Sequence, residues 1–118
     1  MIVRTPGEIQ GRSSDVETAA AWAVFDKNAL IHSQYNVSSV TDNGTGDWTV
    51  NWRLAFANTT YAVVGCTRDT TSGSLGSVLG ILTGDNLTTT WVRVRTGNSL
   101  GAAKDPTDGI YILAVGRR

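Results

Sequence analysis

The stretch that decides the fold is Val37-Ser-Ser-Val-Thr-Asp-Asn-Gly-Thr-Gly-Asp-Trp-Thr-Val-Asn-Trp-Arg-Leu54. In its second half, apolar side chains alternate with polar ones, which is the period of a strand with one face in a core. Between the halves lies Asn43-Gly44, a pair that favours a tight hairpin because both residue types tolerate positive φ angles. The sequence therefore predicts a β-hairpin whose second strand turns one face inward. The residues predicted to share that inward face are Trp48, Val50, Trp52 and Leu54.

The rest of the chain repeats this pattern of short apolar or aromatic runs separated by glycine, asparagine and aspartate. Such runs at intervals of roughly 8 to 12 residues are typical of sandwiches and barrels. The 118 residues are enough for one domain. We therefore predict an all-β fold, a compact antiparallel β-sandwich with almost no helix. The predicted strands are Ala21–Asp26, Leu30–Tyr35, Val37–Thr41, Asp47–Leu54, Thr60–Arg68, Ser77–Leu82, Thr89–Arg95 and Gly109–Val115.

The first 18 residues do not follow this pattern. Their proline and glycines oppose regular structure, and they show neither the strand nor the helix period. We predict an extended N-terminal attachment arm at residues 1–18, ahead of a β-sandwich domain at 19–118. Ile2, Val3 and Ile9 are its candidate apolar anchors for docking onto a neighbouring protein. The alternative is a terminal tail without function.

The last predicted strand is apolar on both of its faces. A chain of this length has little interior in which a strand could be buried on two sides, so the second face is expected to meet another copy of the protein. Cyclic self-association hides such a surface without additional sequence. We predict self-association with the last strand in the interface. The candidate interface residues are Ile110, Tyr111, Ile112, Leu113 and Val115.

A second candidate site lies on the strand that runs through Trp91, Arg93 and Arg95. The alternation places these three side chains on one face and the two valines between them on the other. Tryptophan and arginine are enriched at binding hot spots, and an exposed indole is also a platform for sugar rings. The residues alone leave three alternatives open: a subunit contact, a ligand contact, or an aromatic cover of the sheet edge with the arginine stems packed beside it.

Residues that could carry catalysis or hold a cofactor are few. A serine or cysteine nucleophile needs a base, and the only histidine is His32, which lies in a strand-like run and is expected to be a structural or surface residue. Asp42 and Asp47 flank the hairpin turn, where aspartate is favoured because it accepts hydrogen bonds from nearby backbone N–H groups. Cys66 lies in an apolar run and is expected to be a buried core residue. We predict no catalytic residue, no cofactor, no metal site and no enzymatic activity.

The charge balance also bears on partners. Ten basic and ten acidic residues give a formal net charge of zero, which argues against binding to nucleic acid. No apolar run has the ~20 residues needed to span a bilayer, so membrane insertion is not expected. Residues 1–10 lack the pattern of a signal peptide, and we expect synthesis in a cytosol.

The hairpin belongs to a longer segment, Tyr35 to Asn51, that resembles a stretch found in tail-fibre and related virion proteins of marine and cyanobacterial phages. The family pattern is roughly Tyr-Asn-Val-Ser-Ser-hydrophobic-Thr-Asp-Asn-Gly-x-Gly-Asp-aromatic-Thr-Val-Asn. Weaker counterparts are Ala21-Trp-Ala-Val-Phe25, Ala57-Asn-Thr-Thr-Tyr-Ala-Val-Val64 and Tyr111-Ile-Leu-Ala-Val-Gly116. The resemblance thus covers about residues 20 to 116. It implies a homotrimeric, non-enzymatic virion component in contact with a host surface.

Two functions follow from these observations, and a third is disfavoured. The first is a tail-fibre or tail-tip module that contacts a glycan or protein of the host-cell surface. The alternative is a purely structural decoration, collar or baseplate-associated protein with no receptor contact. In both, the protein is made in the host bacterial cytoplasm, resides in the virion and contacts neighbouring phage tail or baseplate proteins. An enzyme such as a depolymerase is disfavoured because the candidate acids and bases are so few.

Overall fold

The computed structural model describes residues 18–69, 78–81, 86–98 and 102–117. Within these ranges the chain forms eight β-strands and no helix, so each of the eight predicted strands is confirmed, with ends that shift by a few residues. The strands are β1 (Thr18–Phe25), β2 (Ile31–Tyr35), β3 (Val37–Gly44), β4 (Asp47–Trp52), β5 (Ala62–Arg68), β6 (Val78–Ile81), β7 (Trp91–Gly97) and β8 (Gly109–Arg117).

The strands form two antiparallel sheets of four. Sheet A has the order β2-β1-β8-β5 and sheet B the order β3-β4-β7-β6. One hydrophobic core draws residues from both sheets, an arrangement compatible with the predicted β-sandwich. β1 begins at Thr18, which was predicted to be the end of the arm. The rest of the arm, with Ile2, Val3 and Ile9, lies outside the described residues.

The core is built around two groups of aromatic side chains. Trp48 is fully buried and meets Phe25 edge to face, with ring centroids 6.0 Å apart. Trp52 packs edge-on against Phe56 and Tyr61, and its Nε1 donates a hydrogen bond to the Tyr61 hydroxyl at 3.1 Å. That hydroxyl in turn donates to the carbonyl of Thr88 at 2.7 Å, and burial raises the pKa of Tyr61. The core positions predicted for Trp48, Val50 and Trp52 are therefore confirmed.

The chain passes from sheet A to sheet B through a single residue, Asn36. Its φ of 56° lies in the left-handed region, which asparagine tolerates better than most residues. Its side chain accepts a hydrogen bond from the backbone N–H of Leu54 at 2.8 Å, and its carbonyl accepts one from Arg53 at 3.0 Å. These bonds end β4 at Trp52. The predicted strand end and core position of Leu54 were therefore wrong, and its side chain is 62% exposed.

The hairpin between β3 and β4 forms as predicted, and Gly44 has the positive φ expected of it, whereas Asn43 does not. Positive φ angles occur at Gly44 (130°) and Gly46 (63°), and Asn43 is not among the residues with positive φ. Gly46 is enclosed by the end of β7 and the chain that follows it: its N–H donates to the Asp105 carboxylate at 2.7 Å, and its carbonyl accepts from the Thr96 N–H at 2.9 Å. The hairpin tip is thus held by a segment more than 45 residues further along the chain.

Candidate functional site

The last strand, β8, has one side in the core and one side outside it. Ile110 and Ile112 point into the core, with exposed fractions of 0% and 3%, so the prediction that they contact another copy was wrong. Tyr111, Leu113 and Val115 point the other way. Leu113 and Val115 are 41% and 43% exposed, and Tyr111 is partly buried. The second apolar face of the strand is therefore outside the core of the chain, as predicted.

Neighbouring strands continue this surface across the sheet. Leu113 lies opposite Trp22 of β1 on one side and Val64 of β5 on the other. Trp22 in turn lies opposite Tyr35, so one row of large apolar or aromatic side chains crosses all four strands. A shallow cavity of about 400 Å³ lies over the middle of the sheet. We use the name outer face of sheet A for Ala20, Trp22, Val24, Tyr35, Ala62, Val64, Cys66, Tyr111, Leu113 and Val115.

Cys66 also lies on this outer face. It pairs with Tyr111 across the β5–β8 ladder and is exposed, so the prediction of a buried thiol was wrong. The apolar run around it gave no sign of which side of the strand faces the core. In the structure, Val63 and Thr67 are on the core side of β5, and the alternation therefore places Val64 and Cys66 on the opposite side.

The corresponding face of sheet B is polar. Val92 and Val94 are fully buried, which confirms that Trp91, Arg93 and Arg95 point away from the core. Cross-strand pairing places Asn51 opposite Trp91, Thr49 opposite Arg93 and Asp47 opposite Arg95. We use the name outer face of sheet B for Ser39, Thr41, Asp47, Thr49, Asn51, Gly80, Trp91, Arg93 and Arg95. The two candidate sites of the sequence therefore lie on different sheets.

Asp47 organises the charges of this face. Its carboxylate accepts two hydrogen bonds from Arg93, from Nε at 2.8 Å and Nη2 at 2.6 Å, and lies 3.6 Å from Arg95 Nη1. The hydrogen bond from Arg93 holds the pKa of Asp47 below its usual value, and the same contact raises the pKa of Arg93. The prediction of a turn residue that binds backbone N–H groups was wrong for Asp47, and it holds for Asp42, which accepts from the Gly44 N–H at 3.0 Å.

His32 is exposed, and its Nε2 lies 3.2 Å from the Asp26 carboxylate. Among the described residues, no three histidine, cysteine, aspartate or glutamate side chains gather closely enough to hold a metal ion. The same part of the chain contains no helix with the length and apolar character to cross a bilayer.

Comparison with known proteins adds no relative. The sequence matches no family model and no curated protein, and no solved structure matches the fold.

Proposed function

We propose that the chain is a structural subunit of a bacteriophage particle, a homotrimeric tail-fibre or tail-tip module that contacts the host surface. The observation that supports it best is the outer face of sheet A, where Trp22, Val64, Leu113 and Val115 are all more than a third exposed. A contiguous apolar surface of this kind is unusual on a monomer and marks a protein contact. A homotypic contact explains it without any further sequence.

The energetic gain from covering this face is substantial. Complete burial of one large apolar side chain contributes roughly 1.5–3 kcal/mol. The row from Tyr35 through Trp22 and Leu113 to Val64 contains four large side chains that are 38% to 59% exposed, so covering each of them gains roughly half of that amount. Each copy would bury this row once in a closed ring. The outer face of sheet A favours a closed assembly, and the number of three subunits comes from the phage resemblance.

The phage-like segment supports a shared fold more than a shared ligand. Asn36 forms the corner between the sheets, and Gly46 lets the hairpin tip approach the chain beyond β7. Asp47 holds Arg93, and Trp48 fills the core. Since these residues serve the corner and the hairpin, host contact is expected to depend on side chains outside this role.

Assembly can be tested with a matched pair of leucine variants. Leu113→Glu places a charge in the outer face of sheet A, and Leu30→Glu places one at a leucine that is 61% exposed in the turn between β1 and β2. We expect Leu113→Glu to give a folded monomer and Leu30→Glu to remain trimeric by light scattering, with circular dichroism as the folding control. If both variants formed trimers, the outer face of sheet A would be excluded as the subunit interface.

The position of the subunit in the particle separates the two virion functions. Cryo-electron microscopy of intact particles is expected to show the trimer at the distal end of the tail. Density at the capsid or collar, away from the distal tail, would exclude the host-contact function and support the purely structural role.

A further inference from the structure

The outer face of sheet B differs in chemistry from that of sheet A. It presents one half-buried indole, that of Trp91, among hydroxyl, amide and guanidinium groups. The backbone under the indole is fixed, since the Trp91 N–H donates to Thr88 Oγ1 at 3.2 Å and its carbonyl accepts from the Thr88 N–H at 2.9 Å. A rigid aromatic ring beside polar groups suits a sugar, because its C–H groups pack on the ring while its hydroxyls form hydrogen bonds.

The polar groups beside Trp91 are held in place by one another. The Asn51 amide donates from Nδ2 to Ser39 Oγ at 3.1 Å and to Thr41 Oγ1 at 3.4 Å. Its Oδ1 has no hydrogen-bond partner within the described part of the chain. Asn43 fixes Thr49 Oγ1 in the same way at 2.8 Å. Groups that are already ordered lose little entropy when a ligand binds, which favours affinity.

The charges of the face are unequal. Arg93 and Arg95 share the single carboxylate of Asp47, and Arg93 takes both of its oxygens at hydrogen-bond distance. Among the described residues, Arg95 has only the 3.6 Å contact with Asp47, and its side chain is 36% exposed. One guanidinium therefore keeps N–H donors for an external anion, and a fork of such donors matches a carboxylate.

No described residue fills the space beside Arg95 on the β6 side. Gly80 of β6 lies directly opposite Arg95, and no atom of the described residues comes within 4 Å of a Cβ built on it. The absence of a side chain at this position leaves the guanidinium accessible from the edge of the sheet.

We propose that the outer face of sheet B is a binding site for an acidic carbohydrate, with a sugar ring on Trp91 and a sugar carboxylate on Arg95. The site rests on the proposed host contact and gives that contact a ligand class. Asn51 Oδ1 accepts from a hydroxyl of the ring next to Trp91. Arg93 is a positioning residue, since it holds Asp47 and lines the path between the two contacts.

The test is calorimetric titration of the full-length protein with trigalacturonate and with neutral galactotriose. We expect trigalacturonate to bind about tenfold more tightly, the ratio given by one charge-assisted contact. Equal binding of the two sugars, or no binding of trigalacturonate at millimolar concentration, overturns the proposal. Equally tight binding of triglutamate also overturns it, because the site would then recognise charge without the sugar.

Two variants of Gly80 test whether the sugar carboxylate contacts Arg95. Gly80→Glu sets a carboxylate opposite Arg95, and Gly80→Gln sets a neutral side chain of the same size there; the open space lets both fold. We expect the Glu variant to lose about tenfold in affinity for trigalacturonate relative to the Gln variant. Equal affinities would exclude Arg95 as the carboxylate contact. Sedimentation of the same samples measures trimer formation separately. A failure to bind the sugar would therefore exclude the proposed binding site without excluding the proposed role as a virion subunit.

Discussion

At the scale of single residues, the ion pair of Asp47 with Arg93 is the polar contact with the clearest consequence for stability. Asp47→Asn keeps the shape and removes the charge, and we expect a loss of roughly 1.5–3 kcal/mol at neutral pH, since hydrogen bonds to charged groups contribute that much. Urea unfolding measures it. Asp42→Asn is the control, because an amide oxygen can still accept from the Gly44 N–H.

The same pair gives a pH dependence with a definite sign. The folded-state pKa of Asp47 is lowered by Arg93, so its contribution is fully present above the unfolded value of about 3.9 and disappears as pH falls through the folded value. The difference between wild type and Asp47→Asn should therefore be constant at neutral pH and vanish in strong acid. A difference that grew as the pH fell would contradict this assignment.

Gly46 is required by both its conformation and its surroundings. Its φ is +63°, and an added Cβ would clash with the backbone oxygen of Thr96. We expect Gly46→Ala to destabilise the protein by more than ~1 kcal/mol, measured by thermal unfolding. Gly80→Ala, at a position with open space and an ordinary φ, should change the melting temperature little. Equal effects of the two substitutions would count against the enclosed hairpin tip.

At the scale of elements, β4 contributes two buried tryptophans to the core. Trp48→Ala and Trp52→Ala should each cost roughly 3–5 kcal/mol, because both indoles are buried among other rings. Trp22→Ala removes an indole that is 38% exposed on the outer face of sheet A, and we expect it to weaken assembly more than folding. Chemical unfolding and light scattering of the three variants distinguish these effects.

The strands themselves could be predicted from sequence because alternation and turn residues are local signals. What could not be predicted depended on contacts far along the chain. Leu54 lies outside the core because Asn36 binds its backbone N–H. Asp47 binds Arg93 because the pairing of β4 with β7, which sets Arg93 opposite Thr49, brings the guanidinium within reach of its carboxylate. Ile112 and Leu113 show a third limit, since alternation divides an apolar strand into two faces without saying which one is inside.

The attachment arm is a prediction at the same scale. Because β1 begins at Thr18, deletion of residues 2–17 spares every described strand. We expect the truncated protein to form trimers yet to be missing from assembled particles, as measured by quantitative mass spectrometry of purified virions. Full incorporation of the truncated protein would exclude the attachment role.

At the scale of the whole molecule, the two outer faces have different proposed roles. Sheet A presents an apolar surface that suits another copy of the chain, and sheet B presents tryptophan, arginine and asparagine that suit a polar ligand. The shared core holds the two faces apart. Self-association through sheet A would leave sheet B on the outside of the assembly, where a host surface is accessible.

The central claim is that the outer face of sheet A is covered by other copies of the same chain. Sedimentation equilibrium of the full-length protein at micromolar concentration tests it most directly. We expect a single species of three times the 12.6 kDa chain mass. A stable monomer under these conditions would contradict it.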